Sequence, residues 1–235
     1  MTASRSVTIL RMLRVEFHCH TQYSKDSLTS PERLVKACHR KGIDRVVVTD
    51  HNSIAGARAA QSLDPELVIV GEEIKTTRGE LLAAYVQEEV PAGLSPQETI
   101  RSLKEQGAFI SVSHPFDIYR SGHWDESDLL DILSEVDAIE VFNSRCWSPD
   151  FNRQAQKFAE RHDVPGTVGS DAHAPLELGR AVLLLEQFQG PDELRTVIRK
   201  GVPKVRWSSP WVHLISRYAV IRKGEKRSLD TENQP

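Results

Sequence analysis

The chain has 235 residues, 39% of them hydrophobic and 27% charged, with 30 Lys and Arg against 33 Asp and Glu for a formal charge of -3. That length and apolar content exclude a disordered chain and supply one substantial core. The near balance of charge excludes the global basic field of a protein that coats nucleic acid or an anionic membrane.

Three cysteines, Cys19, Cys38 and Cys146, are too few and too scattered for a disulfide framework or a zinc knuckle, and the expected setting is a reducing cytoplasm. In chain order, the opening stretch MTASRSVTILRMLRVEF has no apolar core followed by a small-residue cleavage site, so it reads as a leader into the first strand. No segment approaches the ~18 uninterrupted apolar residues of a membrane span. The β-branched runs at 12–18, 44–50, 67–73, 80–86, 108–114, 138–143, 166–171 and 180–186 predict strands, and most are apolar enough to be buried on both faces. Between them lie helix-period segments. TSPERLVKACHRKG carries Ser30 as N-cap, Pro31 at the first helical position and Gly42 at the close, and LSPQETIRSLKEQG repeats this with Ser95, Pro96 and Gly107. ESDLLDILSEV, DFNRQAQKFAERH and GPDELRTVIRKG complete the set. Repeated βα units argue for a parallel sheet in one domain, either open and doubly wound or closed into a barrel. Residues 1–207 are assigned to this unit. Residues 208–235 form a C-terminal helix, which presents Trp211, Leu214, Ile215 and Tyr218 for packing onto it, and a frayed polar tail, RKGEKRSLDTENQP.

The stretch VEFHCHTQYSKDS sets two histidines one residue apart behind an apolar run. On a strand the side chains at i and i+2 share a face, so His18 and His20 can converge on one ion while Cys19 points away. One such pair arises easily by chance, but the same chemistry recurs where other strands end. Asp50 and His51 close 44–50, Glu73 closes 67–73, His114 closes 108–114, Asp171 and His173 follow 166–171, and Asp26 lies in the loop after His20. In a parallel barrel those ends open on one face, so eight candidates (His18, His20, Asp26, His51, Glu73, His114, Asp171 and His173) can meet. Imidazole mixed with carboxylate and no cysteine suits Zn²⁺, Mn²⁺ or Fe²⁺ over Ca²⁺. Eight ligands exceed the needs of one tetrahedral ion and match two or three ions sharing a carboxylate. Asp50 reads as a carboxylate behind a histidine, fixing its tautomer.

These residues carry a family resemblance. HCHT with Ser24 and Asp26, TDHN (49–52), GEE (71–73), SHP (113–115), EVFN (140–143) and GSDAH (169–173) resemble, in order, the motifs of the PHP superfamily, named for polymerase and histidinol phosphatase. The likeness spans about residues 14 to 186. It implies a single-domain α/β fold, a distorted (β/α)7 TIM-like barrel, holding two or three divalent ions and, in stand-alone members, hydrolysing phosphoesters. By the same resemblance His18, His20, Glu73 and Asp171 hold the first ion. Glu73 bridges to a second ion bound by His114, and Asp26, His51 and His173 bind a third. The chain departs in one place: many members carry a further histidine on the strand after the bridging glutamate, where this one reads RGELLAAYV with Glu80 near that position.

Three carboxylates against two or three divalent ions leave such a pocket net positive and attractive to an oxyanion. A metal-bound water that loses its proton near neutral pH can attack phosphorus, so the expected activity is metal-dependent hydrolysis of a small phosphorylated metabolite or nucleotide. Similar clusters also hydrolyse amides, and the resemblance favours phosphorus. Arg120 and Arg145 are candidates for holding phosphoryl oxygens, each with an alternative reading as an ordinary ion-pairing arginine. Asn143 either contacts substrate or orients a ligand. His123, in the loop after His114, is a candidate proton donor to the leaving group. His39, His162 and His213 read as solvated or packing histidines, and the cysteines as structural. Two other functions compete: a nuclease trimming short oligonucleotides from either end, which the absence of a basic or aromatic series disfavours, and a metal-stabilised module that binds a phosphate ester without turnover. Duplex nucleic acid is not an expected partner, and the sequence sets no oligomeric state.

Overall fold

The computed structural model describes residues 11–232, and the side chains of residues 11–224. The leader expected at the N-terminus lies largely outside the described residues. In chain order the elements are β1 (Leu13–Cys19), α1 (Pro31–Lys41), β2 (Arg45–Val48), α2 (Ala55–Leu63), β3 (Val68–Lys75), β4 (Glu80–Ala84), α3 (Pro96–Glu105), β5 (Phe109–Val112), α4 (Glu126–Ile132), β6 (Ala138–Asn143), α5 (Pro149–His162), β7 (Gly166–Gly169), β8 (Ala181–Leu185), α6 (Pro191–Val197), β9 (Val202–Val205) and α7 (Val212–Glu232).

The helix ends follow from their side chains. Ser30 accepts from the Arg33 N–H, with Pro31 behind it and Gly42 closing α1 at φ 64°. Ser95 and Glu98 form a reciprocal capping box on α3. Two elements escape the sequence reading. α2 has Ile54 at its N-cap and no side-chain cap, and β9 is a short exposed edge strand that tolerates Pro203.

The strands form one nine-stranded sheet in the order β7-β6-β5-β4-β3-β2-β1-β8-β9. It bends until its two halves meet: Cys19 bridges Ala172 in parallel, the His20 N–H donates to the Ala172 carbonyl at 2.8 Å, and the Ala172 N–H donates to the His18 carbonyl at 3.4 Å. The result is a distorted, nearly closed α/β barrel. The expectation of a uniformly parallel sheet needs correcting. β4 runs antiparallel to both β3 and β5, and β8 is antiparallel to β1 and β9. Reversal carries the first residue of β4, Glu80, to the rim where the parallel strands end. An apolar run such as ELLAAYV reads the same in either direction, so the sequence pattern holds no mark of the reversal.

Alternation along the strands builds two apolar layers. Val46, Val48, Val68, Val70 and Ile110 pack outward under Leu34, Ala37, Ile100 and Leu103 of the helices, while Phe17, Val47, Ile69, Ala84 and Phe109 fill the barrel floor. α7 lies across the rim with a different face inward from the one its apolar spacing predicts. Val212 and Ala219 are buried, whereas Trp211, Leu214 and Tyr218 are exposed. Polar anchors set the rotation: Arg145 Nη2 donates to the Val212 carbonyl (3.1 Å) and Ser216 Oγ (2.8 Å), and Lys223 Nζ donates to the carbonyls of Gln22 and Ser24. The segment read as a tail continues the helix to Glu232; its Lys, Arg and Glu residues are good helix formers without an apolar stripe. Among the described residues no helix is long and apolar enough to cross a membrane.

Candidate metal centre

The rim where β1, β2, β3, β5 and β7 end gathers the eight candidate ligands with Glu80 from β4. Their spacing reads as coordination. His18 Nε2 lies 3.1 Å from His20 Nε2, 3.3 Å from Glu73 Oε2 and 3.6 Å from Asp171 Oδ1, and His20 Nε2 lies 3.4 and 3.2 Å from the same two oxygens. A tetrahedral ion with bonds of about 2.0–2.1 Å separates its ligand atoms by roughly 3.3–3.4 Å. The two carboxylates are each 1% exposed, yet no hydrogen bond satisfies Glu73 Oε2 or Asp171 Oδ1. Their contacts are imidazole nitrogens, His51 Nδ1 at 3.0 Å from Glu73 Oε2 and His20 Nε2 at 3.2 Å from Asp171 Oδ1, an arrangement a cation would satisfy.

Hydrogen bonds behind the rings fix which nitrogen faces inward. Ser24 Oγ donates its one proton to Asp50 Oδ1 (2.6 Å), so it can only accept from His20 Nδ1–H (3.1 Å) and from the His51 N–H (3.0 Å). His18 Nδ1–H donates to Glu140 Oε1 (3.0 Å), while His173 Nδ1 lies between the Asp171 carbonyl (2.8 Å) and Arg145 Nη1. His18 and His20 therefore turn Nε2 toward the centre. Asp50 acts on His20 through Ser24, while accepting from the N–H (2.7 Å) and hydroxyl (2.5 Å) of Thr21. Glu140, which the sequence reading left unassigned, also accepts from the His114 N–H (2.9 Å) and Asn143 Nδ2 (3.1 Å). Its signal was an acidic residue inside the apolar run AIEVFN. The close fit of Glu140 to His18 requires Gly169, where a Cβ would lie 2.4 Å from both Glu140 Oε1 and His18 Cβ. His114 (φ 22°) and Asp171 (φ 52°) sit in left-handed backbone, a strained region that recurs at functional sites.

Two further groups flank the first. Asp26 Oδ2 is 3.1 Å from His173 Nε2 and 3.6 Å from His51 Nε2. On the other side Glu73 Oε1 is 3.1 Å from His114 Nε2, which is 3.5 Å from Glu80 Oε2. Glu73 thus turns one oxygen to each group, as a bridging carboxylate does. The residues fit a centre of more than one ion.

Charge follows the geometry. Burial opposes ionisation of Glu73 and Asp171, but the positive groups around them win: His18 and His51 hold Glu73, and Arg120 with His18 holds Asp171, well below the usual carboxylate range. Burial also works against charge on His18 and is outweighed by Glu73, Asp171 and Glu140, so its pKa is raised. The pKa of His51 is raised by Glu73 and Asp26 against the same burial. His20 goes the other way, to about 4, through burial and the neighbouring His173 and His51.

A cavity of ≈ 460 Å³ opens on the cluster and is lined by Asp26, His51, Glu80 and His173 together with Lys25, Lys75 and Arg120. Arg120 Nη1 reaches Asp171 Oδ2 at 2.6 Å and its Nε reaches Asp117 at 3.3 Å. Arg145 also borders the cavity, but its guanidinium is engaged by α7, the Asp171 carbonyl, His173 Nδ1 and Glu177. That makes it a tie between the rim and α7. Asn143 Nδ2 spans Glu140 and Asp171 (3.3 Å), which is the orienting role. His123 is not brought to the cavity: its Nδ1 meets the Arg120 carbonyl at 2.7 Å, and Ser121 and Gly122 form the loop's contribution instead. His39 pairs with Asp64 at the surface and His162 packs its ring, tilted by 41°, against Phe158. His213 lines the cavity, stacked at 4.1 Å on Trp147, and burial with Arg145 and Arg120 lowers its pKa to about 4. No local pattern joins Trp147 to His213; only the docking of α7 does.

A distorted α/β barrel with a histidine–carboxylate cluster at its rim defines the class, and the comparisons give the family. Residues 16–139 match the PHP domain and residues 149–203 the PHP-associated segment. The chain belongs to the PHP family. It is 36% identical over 187 residues to the uncharacterized protein MJ0417 of Methanocaldococcus jannaschii, covering 77% of this chain and 75% of that one. Its fold is similar to a two-domain protein containing a predicted PHP-like metal-dependent phosphoesterase from Bacteroides vulgatus, with TM-score 0.67, 21% identity, and 87% and 70% of the two chains covered. It is also similar in fold to the lesion-specific endonuclease PfuEndoQ of Pyrococcus furiosus, with TM-score 0.57, 17% identity, and 85% and 60% covered.

Proposed function

We propose that this protein is a metal-dependent phosphoesterase that hydrolyses a small phosphorylated metabolite or nucleotide. The observation that carries the reading is the buried set of His18, His20, Glu73 and Asp171, whose imidazole nitrogens lie 3.1 Å apart and 3.2–3.6 Å from the two carboxylate oxygens, beneath a cavity rimmed by Arg120, Lys25 and Lys75. When bound, the ions supply Lewis acidity that activates water and offsets charge at phosphorus. The chain's own groups do the rest. His18, His20, Glu73 and Asp171 hold the first position, and Glu73 shares its second oxygen with the His114 side. Asp26, His51 and His173 hold the third. Arg120, fixed by Asp171 and Asp117, keeps its remaining guanidinium donors for phosphoryl oxygens. The cavity volume suits a ligand of mononucleotide size.

The test is turnover of phosphomonoesters and of cyclic and short diesters by protein loaded with Mn²⁺, Zn²⁺ or Fe²⁺. Release of phosphate that is abolished by His20→Ala supports the reading. A loaded protein that binds these esters and releases nothing sinks it in favour of a binding module. The likeness to an endonuclease fold makes a dinucleotide the informative diester: turnover far exceeding that of a mononucleotide selects a trimming nuclease.

A further inference from the structure

Glu80 stands at the one place where the sequence departs from the family pattern, and its surroundings are built. Its backbone is held from three sides: its N–H donates to the Gly122 carbonyl (3.1 Å), and its carbonyl accepts from the Ser113 N–H (3.1 Å) and Trp124 Nε1 (3.1 Å). The side chain lies against Gly122, where a Cβ would come within 1.9 Å of Glu80 Oε2. The carboxylate is thereby aimed at the rim, 3.5 Å from His114 Nε2, and no hydrogen-bond donor among the described residues reaches it. Facing it are Glu73 Oε1 and the buried His114, whose Nδ1 is itself unpartnered. Glu73, Glu80 and His114 each offer one ligand atom within 4.8 Å of the others.

From this arrangement we infer that Glu80 is a ligand of the ion shared with Glu73, and that it makes this position the least discriminating of the three between Mn²⁺ and Zn²⁺. The donor sets differ. The first position has two imidazoles with two carboxylates, and the third has two imidazoles with one carboxylate. The Glu80 position has two carboxylates with one imidazole, and it faces the cavity through Glu80. Nitrogen donors widen the preference for Zn²⁺, whereas oxygen donors and room for water suit a hard, six-coordinate ion. A glutamate in place of an imidazole also adds a negative charge, which strengthens binding of any divalent ion without restoring the nitrogen preference.

The inference rests on the same metal centre as the phosphoesterase reading, so its test reads metal content. Metal-free protein receives two equivalents of Zn²⁺ and then excess Mn²⁺; metals are counted after desalting, and Mn²⁺ affinity is read from the free-ion paramagnetic resonance signal. The expected result is two Zn²⁺ and one Mn²⁺ in the wild type. Glu80→Gln, nearly isosteric, keeps both Zn²⁺ and weakens Mn²⁺ by about tenfold or more. Glu80→His retains a third ion but exchanges Mn²⁺ for Zn²⁺ more completely than the wild type does. Unchanged Mn²⁺ affinity in Glu80→Gln, or a wild type that holds two Zn²⁺ and no third ion, overturns the inference and leaves the phosphoesterase reading standing. Failure to retain any Zn²⁺ overturns both.

Discussion

Ser24→Ala separates holding the fold from preparing the metal site. The change deletes one donor to Asp50 and one acceptor shared by His20 Nδ1–H and the His51 N–H. Asp50 keeps three donors, from the N–H and hydroxyl of Thr21 and the N–H of residue 24, so its charge stays compensated. The His51 N–H is left unpartnered, which costs about 1–3 kcal/mol. His20 has an escape in metal-free protein. It can move its proton to Nε2 and donate toward Asp171 Oδ1, 3.2 Å away. That escape turns the ligand lone pair away from the centre. The expectation is a loss of about 1–3 kcal/mol in urea unfolding of metal-free protein, with Zn²⁺ affinity falling about 10–100-fold, or about 1.4–2.8 kcal/mol. Competition against a chelator measures the affinity, and nitrogen-detected NMR of the imidazoles reads the tautomer. Wild-type Zn²⁺ affinity in a variant whose His20 still carries its proton on Nδ1 would refute the argument.

Three other outcomes follow from the same structure. Gly169→Ala drives a methyl against Glu140 Oε1 and His18 Cβ and costs about 1–3 kcal/mol of overpacking, together with Zn²⁺ retention, as unfolding and metal content report. Burial, opposed by an N–H from Val90 and aided by the neighbouring Glu89 charge, raises the pKa of Glu72 from 4.5 to about 8, so the folded protein holds a proton that the unfolded chain releases. Its contribution is therefore full below pH 4.5 and is lost as pH rises toward 8, by about 1.4 kcal/mol per unit at most. Glu72→Gln should flatten that part of the slope of metal-free stability between these limits, and an unchanged slope counts against it. Finally, His18 and His51 have raised pKa values in the metal-free cage, so an entering ion displaces protons near pH 7. Calorimetry in buffers of different ionisation enthalpy should show proton release on Zn²⁺ binding, and affinity that weakens as pH falls.

The parts of this molecule legible in its sequence are those whose cause is local. Ser30, Pro31 and Gly42 bound a helix because a cap, a fixed φ and a left-handed residue act within one turn. The gathering of the candidate ligands was legible because strand ends in a β/α barrel share a rim, so their chemistry could be pooled before any contact was known. What stayed hidden depends on partners distant in the chain. The reversal of β4 is fixed by its pairing with β3 and β5, and it alone puts Glu80 beside His114. The rotation of α7 is fixed by Arg145 and Lys223, which bind polar atoms and override the apolar spacing of Trp211, Leu214 and Tyr218. His213 reaches the cavity by that rotation, so reading its helix in isolation gave it no role.

The inward nitrogens of His18, His20 and His173 are all Nε2, and the groups that dictate this come from different sources. Glu140 on β6 fixes His18, Asp50 after β2 fixes His20 through Ser24, and the Asp171 carbonyl after β7 together with Arg145 flanks Nδ1 of His173. No one of these can be set correctly unless the barrel has closed, because β1 must meet both β2 and the segment after β7. The orientation of the ligands is thus a property of the closed sheet and precedes the ion. The unsatisfied oxygens of Glu73 and Asp171 show where the frame leaves charge for a cation to meet. Closure sets the geometry, and the buried carboxylate oxygens set the need for positive charge.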